Sequence, residues 1–194
     1  MGRVRKALAT GLLIPLLAGA TTVHAGEMSE GLAPVQKDRG SPFAGKAPEE
    51  MIRELADREE IRELIAIYAH RAALGIPISG LFTNDGAFII HVPGHPVTEA
   101  RGREALDAAY RDVAAKPRAQ LPMIHNVALE IDGDEARGVC SIELRGSQGG
   151  QNLIASGYYE DSYRREDGRW KFVTREVFFF HFTTLEEGWA KQPQ

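Results

Sequence analysis

The chain has 194 residues, with 23 Lys and Arg against 27 Asp and Glu, for a formal net charge of −4. The basic residues are interspersed with acidic ones rather than gathered in a stripe, which argues against a nucleic-acid partner. Cys140 is the only cysteine, so an intramolecular disulfide is excluded and stability has to come from packing.

At the start of the chain, Arg3, Arg5 and Lys6 precede an apolar run over residues 7–17, and Val23-His24-Ala25 has the small-x-small form of a cleavage site. The run is shorter than the roughly 20 residues a membrane-spanning helix needs, and Pro15 interrupts it. Residues 1–25 are therefore expected to be a secretory signal peptide, leaving a periplasmic or secreted protein with no stable membrane association after cleavage. Residues 26–47 are rich in Gly, Pro, Ser and charge without an apolar period, and are expected to form a disordered linker.

Residues 48–185 are expected to form one domain, followed by a tail over 186–194. Pro48 suits a first helical position, with Glu49 and Glu50 in the first turn, while Asp57 and Glu60 would cap a restart of the helix. Ile61, Leu64, Ile65, Tyr68 and Ala72 then mark one buried helical face, until Gly75 and Pro77 end it. A short β-rich run covers residues 87–92, and helical spacing returns over residues 102–115 through Ala105, Leu106, Ala109, Tyr110 and Val113. After that the period becomes two. Strands are expected over residues 123–131, 136–145, 152–165 and 169–182, separated by Asp132-Gly133-Asp134, Gly149-Gly150 and Asp167-Gly168. Helices followed by a long antiparallel meander define an α+β layout, with the helices packed on the concave face of a curved sheet.

The order of these elements resembles the SnoaL-like, NTF2-like superfamily, whose members include scytalone dehydratase, hexachlorocyclohexane dehydrochlorinase and ketosteroid isomerase. The likeness runs from about Asp57 to Leu185. It is carried by Ile61-Arg62-Glu63-Leu64 with Tyr68, Leu81-Phe82, Asn84-Asp85-Gly86-Ala87, Gly102-Arg103-Glu104-Ala105 and Ile124-His125-Asn126. Further along, Gly157-Tyr158-Tyr159-Glu160-Asp161, Asp167-Gly168-Arg169-Trp170-Lys171-Phe172, Arg175 and Phe182-Thr183 continue it. The resemblance implies a cone-shaped α+β barrel with a deep pocket between helices and sheet. In the dehydrochlorinase and dehydratase branch it implies a histidine, oriented by an aspartate, that removes a proton as a leaving group departs, with an arginine assisting. His125 matches the histidine and Arg175 the arginine; Ala73 stands at the aspartate position.

Taken alone, His125 lies in phase with Met123, Val127, Leu129 and Ile131, which predicts an inward-facing side chain. It reads either as a general base, since its ordinary pKa is near neutrality, or as a core histidine hydrogen-bonded to a neighbour. Arg175, among Val173, Val177 and Phe179, needs a buried partner or an anionic ligand. His70 reads as a substitute base near Ala73 or as a solvated helix residue. Tyr159 shares a face with Ala155 and Gly157, where its phenol could donate to a ligand or simply fill the core. His91 and His95 are separated by Val92-Pro93-Gly94, which fits neither helix nor strand spacing for a metal, so none is expected; His91 is read as a pocket polar group. Phe178-Phe179-Phe180 reads as core or as an oligomer surface.

These readings lead to a cofactor-free lyase or isomerase acting on a small, largely apolar organic molecule. His125, Arg175 and His70 are the expected catalytic residues, and Tyr68, His91, Ile142, Leu144, Tyr159, Val177 and Phe179 are expected to meet the ligand. The alternatives are a non-catalytic binder of such a molecule and an interaction module; a homo-oligomer, dimer or trimer, is expected in each case.

Overall fold

The structure is a computed structural model and describes residues 30–36, 40–114, 120–148 and 150–188. Helix α1 (Ala33–Gln36) follows a single 3-10 turn at Glu30–Leu32, and α2 runs from Pro48 to Leu74. Strand β1 (Phe82–His91), β2 (Thr98–Arg101) and α3 (Gly102–Ala114) come next. The meander consists of β3 (Gln120–Asp132), β4 (Glu135–Gln148), β5 (Gln151–Glu166) and β6 (Arg169–Thr184).

Pro48 does open α2, and the Ala47 N–H donates to the Glu50 carboxylate at 3.1 Å; alanine offers no side-chain cap in return. Gly75 closes the helix in the left-handed conformation (φ 66°), where a Cβ would be strained, and its N–H donates to the Arg71 carbonyl. The expected restart at Asp57 does not occur, because this aspartate is committed elsewhere. Its buried carboxylate accepts from Arg165 and, at 3.2 Å, from Trp170 Nε1, while Glu60 accepts the Trp170 N–H at 3.1 Å. Two carboxylates of α2 thus fasten the helix to the β5–β6 hairpin.

The six strands form one sheet in the order β2-β1-β6-β5-β4-β3. All neighbours are antiparallel except β1 and β6, which run parallel through Phe88↔Arg175 and Ile90↔Val177. That pairing inserts the early β1 beside the last strand. The sheet curves but stays open between its β2 and β3 edges, and the expected α+β architecture holds. Its inner face meets α2 and α3 over a core built around Tyr68, Phe82, Tyr163 and Phe172. Ring centroids stand 5.1 Å apart for Phe82–Phe172 and 5.2 Å for Tyr163–Phe172. Each such pair contributes about 0.5–1.5 kcal/mol beyond its buried area.

Part of the expected linker is built into the fold. Pro34 is buried, α1 rests on β3 and β4, and the Glu30–Leu32 turn reaches β5 on the face turned away from α2. Gly31 lies so close to the Glu160 carboxylate that a Cβ there has no room. The expected signal peptide falls outside the described residues.

Candidate functional site

An apolar cavity lies between the inner face of the sheet and the two long helices. Its wall comprises Tyr68 and Ala72 of α2, Phe88 and Ile90 of β1, Ala109 and Tyr110 of α3, and Gln120 and Pro122 of β3. Leu144, Tyr159, Val177, Phe179 and Phe182 complete it. The chain brings these together through two periodicities. Tyr68 and Ala72 are four apart on α2, and Val177 and Phe179 are two apart on β6.

Three phenols supply the cavity's polarity. The Tyr68 and Tyr110 hydroxyls hydrogen-bond to each other, and the rings of Tyr68 and Tyr159 meet edge to face at 6.3 Å and 83°. Burial pushes all three phenols above their ordinary pKa, so each remains protonated at neutral pH, and the O–H protons not spent in the Tyr68–Tyr110 bond can be donated to a ligand.

Arg175 sits beneath this floor rather than in the cavity wall, and is wholly buried. Its guanidinium carbon lies 3.8 Å from the Tyr159 ring centroid, 4.2 Å from that of Tyr68 and 4.7 Å from that of Phe172. Nη1 is 3.7 Å from Asp161 Oδ2, and Nη2 donates to Cys140 Sγ at 3.5 Å. Burial opposes the charge most strongly, but Asp161 together with Cys140, Tyr159 and Tyr68 outweighs it, and the guanidinium stays protonated. Asp161 also accepts from the Tyr163 hydroxyl at 2.8 Å. The buried partner that Arg175 required is therefore Asp161.

Of the expected ligand contacts, Tyr68, Leu144, Tyr159, Val177 and Phe179 line the cavity. Ile142 is core, 2% exposed, and does not reach the wall.

Two histidines, His125 and His91, are not where the pattern put them, and His70 takes the solvated of its two readings. His125 is exposed, because β3 carries a bulge between His125 and Ala128 with Asn126 at φ 55°. Before the bulge Pro122 and Ile124 face the core; after it Val127, Leu129 and Ile131 do. The inward parity thus changes across Asn126 and leaves His125 facing out. His70 is also exposed: Tyr68 and Ala72 take the buried face of α2, and the residue midway between them points away. His91 belongs to the outer face, where its ring stacks on Phe178 at 4.3 Å and Nε2 lies 2.5 Å from Glu176 Oε1. Its neighbour Ile90 takes the inward position.

Sequence reasoning did not single out Tyr110, Phe88, Gln120 or Asp161. Tyr110 was visible as the one aromatic on an α3 face whose other apolar positions are Ala105, Leu106, Ala109 and Val113. Asp161 was visible as the next inward residue after Ala155, Gly157 and Tyr159.

Residues 53–176 match the SnoaL-like domain, and the chain belongs to that family. Over 74 residues it is 32% identical to the gamma-hexachlorocyclohexane dehydrochlorinase of Sphingobium indicum, covering 33% of this chain and 47% of that protein. The chain thus spans about half the length of this curated relative. Among solved structures, the hexachlorocyclohexane dehydrochlorinase of Novosphingobium barchaimii superposes with a TM-score of 0.59 at 22% identity, over 74% of this chain and 99% of that one. An NTF2-like protein with a cystatin-like fold from Novosphingobium aromaticivorans gives 0.53 at 26%, over 73% and 90%.

Proposed function

We propose that this domain binds a small, mainly apolar organic molecule in the cavity, with a phenol hydroxyl donating to one oxygen of that molecule. One observation carries this reading: among the described residues the cavity wall offers apolar side chains, an amide and protonated phenols, but no group able to take a proton at neutral pH. A pocket of that composition can hold and orient a ligand without a base for elimination. A ligand that binds only the folded state raises the melting temperature. Phenol or cyclohexanone should therefore stabilise the protein, Ala109→Phe should abolish the effect by filling the cavity, and His125→Ala should leave it intact. Loss of the effect in His125→Ala, with Ala109→Phe unaffected, would move the site to β3 and reject the cavity.

Membership of the SnoaL-like family and the likeness to a dehydrochlorinase favour a second reading, a cofactor-independent lyase or isomerase. On the binding reading, chloride release from gamma-hexachlorocyclohexane stays at the uncatalysed rate; His125-dependent release would establish the lyase instead. We further propose export, supported by the basic start, the apolar run and Val23-His24-Ala25. N-terminal sequencing of the protein from its native host should begin at Gly26, and an intact Met1 terminus would contradict export.

A further inference from the structure

Tyr110 is a wall of two spaces. On one side it closes the apolar cavity, which holds about 70 Å³ of free room as it stands. On the other it faces a cleft of about 120 Å³ formed with Gly75, Pro77, Asp107 and Arg111, between the end of α2 and the middle of α3.

The cavity alone is roughly half the ~150 Å³ apolar space known to accept benzene, so a single ring already fills it and needs its walls to give. Joined to the cleft, it exceeds that volume. The residue that lines both is Tyr110, 8% exposed, whose ring meets Phe88 at 5.8 Å and Tyr68 at 6.1 Å and whose hydroxyl is bonded to that of Tyr68. The rest of the cleft is more firmly fixed. Asp107 accepts from both the Ser79 N–H (3.1 Å) and the Ser79 hydroxyl (2.8 Å), and the Gly75 N–H is bonded back to Arg71.

We infer that Tyr110 is the specificity-determining partition of the site: it sets the length of molecule the cavity accepts, and its hydroxyl bond to Tyr68 holds the partition shut. The inference rests on the proposed binding function and names its substrate class, a compact apolar molecule with one oxygen acceptor and no long chain. A longer homologue must either displace the Tyr110 ring into the cleft, breaking the phenol pair, or remain outside.

The test is calorimetric titration of phenol, 4-ethylphenol, 4-butylphenol and 4-hexylphenol into the wild-type protein, Tyr110→Leu and Tyr110→Phe. Refusing a methylene in an apolar pocket is worth about tenfold or more in affinity. The wild type should bind the short members and lose affinity at least about tenfold on going to the butyl and hexyl members. Tyr110→Leu should regain that loss. Tyr110→Phe keeps the ring, and so the packing, but not the latch; it should regain part of it, which keeps the inference testable if the leucine variant does not fold. If the wild type binds with the same length profile as both variants, the partition is wrong while the binding reading stands. If neither the wild type nor the variants bind any member, the cavity reading itself falls, and the partition with it.

Discussion

Arg175 is wholly buried yet donates a single hydrogen bond, to Cys140 Sγ, and its Nε and Nη1 have no hydrogen-bond partner among the described residues. Asp161 supplies the opposite charge, and the faces of Tyr159, Tyr68 and Phe172 add to it, since a desolvated cation over a ring gains up to about 2 kcal/mol. The pKa of Asp161 is itself raised to about 6 by burial, opposed by Arg175 and by the Tyr163 hydroxyl. In the unfolded chain an aspartate titrates near about 3.9, so between the two values the native state holds the extra proton. Asp161's contribution to stability is therefore greatest below about pH 4 and is lost as pH rises through about 6. Asp161→Asn should flatten that pH dependence in urea unfolding, and should cost about 3–5 kcal/mol at neutral pH by leaving the guanidinium uncompensated. An unchanged slope between pH 4 and 6 would show that Asp161 titrates as it does in the unfolded chain. The need for a buried partner was legible from Arg175's apolar neighbours. Its identity as the partner was not, because the β5–β6 register that sets Asp161 opposite Arg175 is not specified by the sequence.

The four meander strands were legible, whereas β2 was not foreseen; Asp132-Gly133-Asp134 and Asp167-Gly168 mark meander turns, and Gly133 and Gly168 take positive φ there (60° and 74°). Which face each residue takes was legible only between irregularities. On β3 the bulge at Asn126 turns His125 outward, and on β6 the inward set passes from Trp170 and Phe172 to Arg175, Val177 and Phe179. A period of two carries no information on where one residue will be skipped. Gly157 belongs to another such place, the register shift between Ser156 and Gly157, where the Phe178 carbonyl occupies the space a Cβ would need. Gly157→Ala should therefore lower stability by about 1–3 kcal/mol or more, as overpacking does, measured as a shift in the denaturation midpoint. A variant as stable as the parent would show that the β5–β6 register can slide to make room.

Across the molecule, the parallel pairing of β1 with β6 places Phe88 beside Arg175 and Ile90 beside Val177, and Phe88, Ile90 and Val177 close one side of the cavity. No local pattern announced that pairing, because β1 and β6 are far apart in sequence. The outer face of the same strands carries a separate feature: Phe178 stacks on Tyr158 at 5.2 Å and on His91 at 4.3 Å, and Phe180, 58% exposed, extends the row. These residues share strands with the cavity wall but not its space, so changes there should leave ligand binding unaltered. The central claim is that function resides in the cavity lined by Tyr68, Tyr110 and Tyr159 and not at His125. The measurement that tests it most directly is a two-dimensional NMR titration of the wild-type protein with phenol, observing aromatic and methyl resonances. Shifts that saturate together at Tyr68, Tyr110, Tyr159 and Val177, with the His125 imidazole unmoved, are the predicted result; shifts centred on His125 with the cavity resonances unmoved would contradict it.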